Sequence, residues 1–141
     1  MTRGGGARIL AYIVGATVLA AVIAGIVILG PPKRQRQLRL DERRVKDLIG
    51  IQGDVNNYWQ RHKALPPDLV TLSREPGHRP PPTDPERGME YEFEITGAES
   101  FRLCAVFTFD SSEAPEPGRY FSTESWAHGA GRHCFDVSIS P

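Results

Sequence analysis

From Ile9 to Gly30 the chain runs for 22 residues without a charged side chain. At about 1.5 Å rise per residue such a run reaches roughly 33 Å as a helix, enough to cross a hydrocarbon core of about 30 Å. Inside that core every backbone group must find its partner within the segment, and a helix provides this. A core helix of a water-soluble domain would carry a polar face, and this run has none. A secretory signal has a shorter apolar stretch of about 7–15 residues that ends at small residues. Here the stretch is longer and closes with Gly30-Pro31-Pro32-Lys33. The reading is an uncleaved transmembrane anchor over 9–30, behind a short tail (1–8) and ahead of a basic juxtamembrane linker (31–37). The Ala16/Ala20/Ala24 spacing would let another helix approach closely.

Residues 38–141 are enough for one small domain and not for two. The formal net charge of zero hides an asymmetry. Between Lys33 and Lys46 seven basic residues (Lys33, Arg34, Arg36, Arg39, Arg43, Arg44, Lys46) face Asp41 and Glu42, whereas from Asp47 onward 15 acidic residues face eight basic ones. The basic block next to the anchor suits anionic head groups, or forms a solvated juxtamembrane helix. A net acidic domain without a basic, aromatic-bearing face argues against nucleic acid as a partner.

Charge and cysteine content point to opposite sides of the membrane. Basic residues tend to stay cytoplasmic, and they concentrate after the helix, with Arg3 and Arg8 before it. The two cysteines, Cys104 and Cys134, lie in strand-like segments of a small domain and suit a disulfide, which persists in oxidising compartments. Closing a loop of about 30 residues would be worth on the order of 3–4 kcal/mol.

The stretch Leu38–His62 is periodic as a helix. Leu38, Val45, Leu48, Ile49, Gln52, Val55, Tyr58, Trp59 and His62 form a packing face, and Arg39, Glu42, Arg43, Lys46, Asp47, Asp54 and Arg61 lie opposite. Gly50 and Gly53 weaken it by roughly 1 kcal/mol each, so the helix needs a sheet to lie on. Leu65-Pro-Pro-Asp-Leu-Val-Thr-Leu72 breaks it and starts a short helical turn. A proline-rich loop follows at 76–85, with Pro76, Pro80, Pro81, Pro82 and Pro85. Glu90–Ile95 alternates as a strand with Tyr91, Phe93 and Ile95 on one face. Phe101–Phe109 alternates with Phe101, Leu103, Ala105, Phe107 and Phe109 inward, and a third strand lies near His133–Ile139. The fold class is α+β, one helix laid across a small antiparallel sheet.

Three stretches carry a resemblance: Asp47-Leu-Ile-Gly-Ile-Gln to Tyr58, Leu65-Pro-Pro-Asp-Leu-Val-Thr-Leu72, and Asp84-Pro-Glu-Arg-Gly88 running into Tyr91-Glu-Phe93. Over residues 38–110 the chain resembles the soluble part of type II secretion pseudopilins and other type IV pilin-like proteins. It is also similar to a group of bacterial membrane proteins whose domain ends in patterns matching Leu103-Cys-Ala-Val-Phe107 and Gly131-Arg-His-Cys-Phe135. The resemblance implies a pilin-like domain of three to four antiparallel strands over 38–141, on the outer side of the inner membrane. One family feature is missing. Prepilins are cut after a glycine that precedes an apolar start with a glutamate five residues in; Gly6 is followed by Ala7-Arg-Ile-Leu-Ala11, and the span holds no glutamate. The expectation is a permanent tether rather than a shaft-building helix.

Candidate chemistry is sparse. His128, His133 and Cys134 lack zinc-type Cys-x-x-Cys spacing, so no metal and no cofactor are expected there. Asp110, Glu113 and Glu116 flank an acidic excursion that could hold calcium through oxygens. Asp84 before Pro85 reads as a turn former. Trp59 and Trp126 read as core or rim aromatics, Trp126 with a ligand-stacking alternative. No nucleophile elbow or phosphate loop surrounds the Ser, His and Asp residues. The expected function is therefore non-catalytic: a membrane-anchored interaction or structural protein of the envelope, whose partners are the lipid bilayer and other envelope proteins or itself. The alternative is a membrane-tethered sensor or ligand-binding module that captures calcium or a small molecule.

Overall fold

The computed structural model describes residues 4–29, 31–75, 80–114 and 124–139. The chain divides into two compact units, Met1–Arg36 and Gln37–Pro141. In the first, α1 (Gly4–Leu29) covers the apolar run, and its Ile, Leu and Val side chains from Ile9 to Ile28 are exposed. It is long and apolar enough to cross a membrane. Its threonine does not oppose that: Thr17 Oγ1 donates to the Ile13 carbonyl at 2.9 Å and is satisfied within the helix.

Helix α2 runs from Pro32 to His62, starting six residues before the expected Leu38, so residues 32–37 of the linker are helical. Proline suits a first helical position, where its missing N–H has no partner to lose. The Pro31 carbonyl accepts the Arg34 N–H at 2.9 Å. The buried stripe of α2 is Asp41, Arg44, Val45, Leu48, Ile51 and Val55. This corrects the expected packing face. Two charged residues and Ile51 belong to it; Ile49, Tyr58 and Trp59 are only partly buried against the core; Leu38 is half-buried and His62 exposed. Gly50 and Gly53 fall on the exposed side.

Lys63 ends α2 in a left-handed conformation (φ 54°), its N–H bonded to the Trp59 carbonyl at 2.7 Å. Helix α3 (Leu69–Ser73) follows from its cap: Asp68 Oδ1 accepts from the Thr71 N–H and hydroxyl, both at 2.7 Å. It buries Leu69 and Leu72.

The sheet has three antiparallel strands in the order β1 (Glu92–Ile95), β2 (Ser100–Phe107), β3 (Gly131–Ser138). β1 begins two residues later than expected, Glu90 instead forming an isolated bridge with Thr83. Phe101, Leu103, Ala105 and Phe107 are buried as alternation requires. Phe109 falls beyond the strand and is half-buried, and Ile95, on an edge strand, is 46% exposed. Val45, Leu48, Ile51 and Val55 of α2, Leu69 and Leu72 of α3, and Tyr91, Phe101, Leu103, Phe107, Trp126 and Phe135 form one core. Burying each such aliphatic side chain contributes about 1.5–3 kcal/mol. The α+β class and a small antiparallel sheet are thus observed, with three strands among the described residues.

Candidate functional site

Among the described residues of the domain, the most concentrated polar chemistry lies under α2. Arg44 is 1% exposed, and its guanidinium is surrounded by three carboxylates. Nη1 donates to Asp41 Oδ1 at 2.6 Å, Nε to Asp84 Oδ2 at 2.7 Å, and Nη2 to Asp84 Oδ1 at 3.2 Å and Glu86 Oε2 at 3.0 Å. Helix period places Asp41 and Arg44 on one face, one turn apart, in line with Leu48.

The acidic partners come from the turn Asp84-Pro-Glu-Arg-Gly88. Asp84 Oδ1 accepts the Glu86 and Arg87 N–H groups at 2.9 and 2.8 Å, and the Gly88 N–H donates to the Asp84 carbonyl at 2.8 Å. Gly88 has φ 66°, a conformation that favours glycine. Asp84 is therefore the turn former the sequence indicates, and also half of a buried ion pair that the sequence did not indicate.

Asp41 reaches a third element. Its oxygens accept the Thr108 N–H at 3.0 Å and the Phe109 N–H at 2.9 Å. These two donors leave the sheet ladder, which is why β2 stops at Phe107. On the exposed rim Gln37 Nε2 donates to Glu86 Oε1 at 2.9 Å. One residue set thus joins α2, the 84–88 turn and the end of β2.

Burial alone would raise the Asp84 pKa. The Arg44 hydrogen bond and the two backbone N–H groups outweigh it and lower the group to about 2. Burial likewise works against the Arg44 charge, but the bonds to Asp84, Glu86 and Asp41 hold its pKa above the ordinary range. Beside them Asp47 behaves differently: burial pushes its pKa up, although the Tyr91 hydroxyl donates to Oδ2 at 2.9 Å. Both Asp41 oxygens and both Asp84 oxygens are occupied by donors of the chain itself, so neither carboxylate is placed to take a substrate proton.

The cysteines meet as expected. Cys104 and Cys134 form a disulfide directly across β2 and β3, with Cα atoms 4.1 Å apart. Alternation puts both on the sheet face away from α2. With its sulfur bonded, Cys134 does not join a metal set. His128 is buried and stacks on Phe107 at 3.6 Å between ring centroids, and His133 packs on Phe135 at 4.8 Å. Burial lowers the His128 pKa. Trp126 sits in the core against Phe135 at 4.7 Å; Trp59 is half-buried, with Lys63 Nζ 4.7 Å from its ring.

Asp110 accepts the Ser112 N–H at 2.8 Å and so caps the short 3-10 turn Ser111–Glu113. Glu113 is exposed, and Glu116 lies outside the described residues. Among the described residues no three His, Cys, Asp or Glu side chains are arranged to hold a metal ion. Ser111 and His128 close the neck of this excursion: the Ser111 N–H donates to the His128 carbonyl at 2.9 Å and the His128 N–H to Ser111 Oγ at 3.2 Å.

Arg44 and Asp41 are the residues sequence reasoning missed, because they stand in a basic run that reads as a solvent-facing block. The signal was their spacing: 41, 44, 48, 51 and 55 step along one helical face. Compared with protein-family models, with curated proteins and with solved structures, the chain matches none.

Proposed function

We propose that the chain is a single-pass protein of a bacterial inner membrane, with a pilin-like, extracytoplasmic domain that acts by contact rather than by catalysis. The observation that carries this reading is the Arg44 cluster. Among the described residues, the densest set of buried ionisable groups is saturated by its own backbone and side chains, and it fixes three elements to one another. Such a cluster specifies a rigid surface, and α1 supplies a long apolar helix suited to hold that surface at a bilayer. The partners this reading implies are other envelope proteins or a second copy of the chain.

In-cell photo-crosslinking from exposed positions of the sheet, in the full chain, tests it. Discrete adducts with envelope proteins or with itself are expected. Recovery of uncrosslinked chain from every position would overturn the interaction role. Labelling of the cysteines by a membrane-impermeant thiol reagent after reduction, in intact spheroplasts, reports the side: labelled thiols are expected, and protection until lysis would overturn the extracytoplasmic placement.

A further inference from the structure

The Cys104–Cys134 bond has two chemically unequal ends. Cys104 lies on the central strand, paired on one side with Glu92 of β1 and on the other with Cys134. It is 4% exposed, and Arg132 reaches across it: Nη2 lies 3.5 Å from Cys104 Sγ while Nε donates to Glu92 Oε1 at 3.1 Å. Cys134 is half-buried on β3, which among the described residues has no strand beyond it.

We infer that this disulfide is a thiol-exchange site, at which a low-molecular-weight thiol attacks Cys134 and Cys104 is the leaving group. A thiolate attacks a disulfide sulfur in line with the bond it breaks, so each sulfur must be approached from the side opposite its partner. For Cys104 that side is the β1 side, where the Arg132–Glu92 pair covers the sulfur. For Cys134 it is the β3 edge, which no strand covers among the described residues. A single half-buried sulfur at a sheet edge admits a small thiol.

The step balances. The entering thiolate forms a new S–S bond to Cys134 Sγ, and the Cys134–Cys104 bond breaks. The electron pair leaves on Cys104 as a thiolate beside the Arg132 guanidinium, whose positive charge favours it. A second thiolate of the same class can then attack the entering sulfur and release Cys134. Two thiols are oxidised to one external disulfide while the protein disulfide is reduced to two thiols. With a single equivalent the product is a mixed disulfide on Cys134.

The test uses the full chain in detergent with limiting reduced glutathione, trapping with N-ethylmaleimide and peptide mass mapping. Glutathione on Cys134 with maleimide on Cys104 is expected. Glutathione on Cys104 in equal or greater amount overturns the assignment, as does the absence of any adduct until urea unfolds the domain. Arg132→Gln is expected to slow the exchange about three- to tenfold by removing the charge beside the leaving sulfur, with Arg132→Lys recovering most of the rate. An unchanged rate in Arg132→Gln would overturn that role. The result is independent of the pilin-like reading, since it depends only on the sheet and its disulfide.

Discussion

On α2, Arg44 Nε lies 2.7 Å from Asp84 Oδ2; on the outer face of the sheet, Arg102 Nε lies 2.7 Å from Asp136 Oδ1. The side chains of the first pair are 1% and 9% exposed, and those of the second 39% and 70%. Equal lengths conceal unequal stakes. In water-like surroundings two unit charges at contact attract weakly, and ions of the solvent screen them further. Under α2 the charges have left water, and each depends on its neighbours to replace the lost hydration. The carboxylates there cannot be exchanged for apolar residues without further loss, because Asp41 also satisfies the Thr108 and Phe109 N–H groups and Asp84 those of Glu86 and Arg87. Arg44 in turn offsets the charge that those carboxylates bring inside.

Removing Arg44 should therefore have the largest effect. Arg44→Gln leaves Asp41 and Asp84 buried without their cation, at a cost of about 3–5 kcal/mol. Urea unfolding of the detergent-solubilised chain checks it. A loss of less than about 1 kcal/mol would mean that water reaches the cluster and that burial does not separate the two arginines. Asp41→Asn should cost less, about 1–3 kcal/mol, because the amide keeps one acceptor but turns an N–H toward the Phe109 or Thr108 donor. That variant weakens both the Arg44 pair and the tie between α2 and the end of β2, and the signature of the second loss is faster amide exchange at Thr108 and Phe109.

Acid should reproduce part of this loss. Asp84, lowered to about 2 from an ordinary value near 4, stabilises the fold only while ionised. Its contribution, about 2 kcal/mol, is complete above pH 4 and disappears as pH falls from about 4 to about 2. Asp47 works the other way: its raised pKa means that protonation on acidification relieves a cost. His128, whose pKa burial lowers, is indifferent while neutral in both states, and it costs stability as pH drops below its ordinary value of 6.5, where the unfolded chain takes up the proton first. The expected profile of stability against pH declines first below about 6.5 and again below 4. In Asp84→Asn the second decline should flatten while the first remains; a profile identical to the wild type would refute the assignment to Asp84.

The same contrast shows what could be read from the sequence. Alternation in Phe101–Phe107 and the apolar run of α1 are patterns of residue type, and both appear where expected. The cysteine pair was legible because two strand-borne cysteines in a small domain have few other uses. Arg44 was not, because charge in a sequence reads as exposure, and only the partners 40 and 42 residues away at Asp84 and Glu86 make its burial tolerable. The end of β2 was missed for the same reason. Thr108 and Phe109 continue the strand pattern, yet their N–H groups go to Asp41, 67 and 68 residues earlier in the chain.

The smallest effect should come from the outer face. Arg102 Nη1 also approaches Glu94 Oε2 at 3.6 Å, so β1, β2 and β3 each contribute one charge to a row across the sheet. Two carboxylates flanking one guanidinium resemble the Arg44 arrangement on paper. Here, however, every member can exchange its partner for water at little cost, and long side chains lose rotamer freedom when they pair. Arg102→Gln is expected to leave the midpoint of urea unfolding at the wild-type position in 0.5 M salt and to lower it only marginally at low ionic strength. The Arg44→Gln loss should persist at both, because screening ions do not enter a site that is 1% exposed. If the two variants instead respond to salt in parallel, the burial of the Arg44 cluster is not what distinguishes them, and its role as the anchor between α2, the 84–88 turn and β2 fails with it.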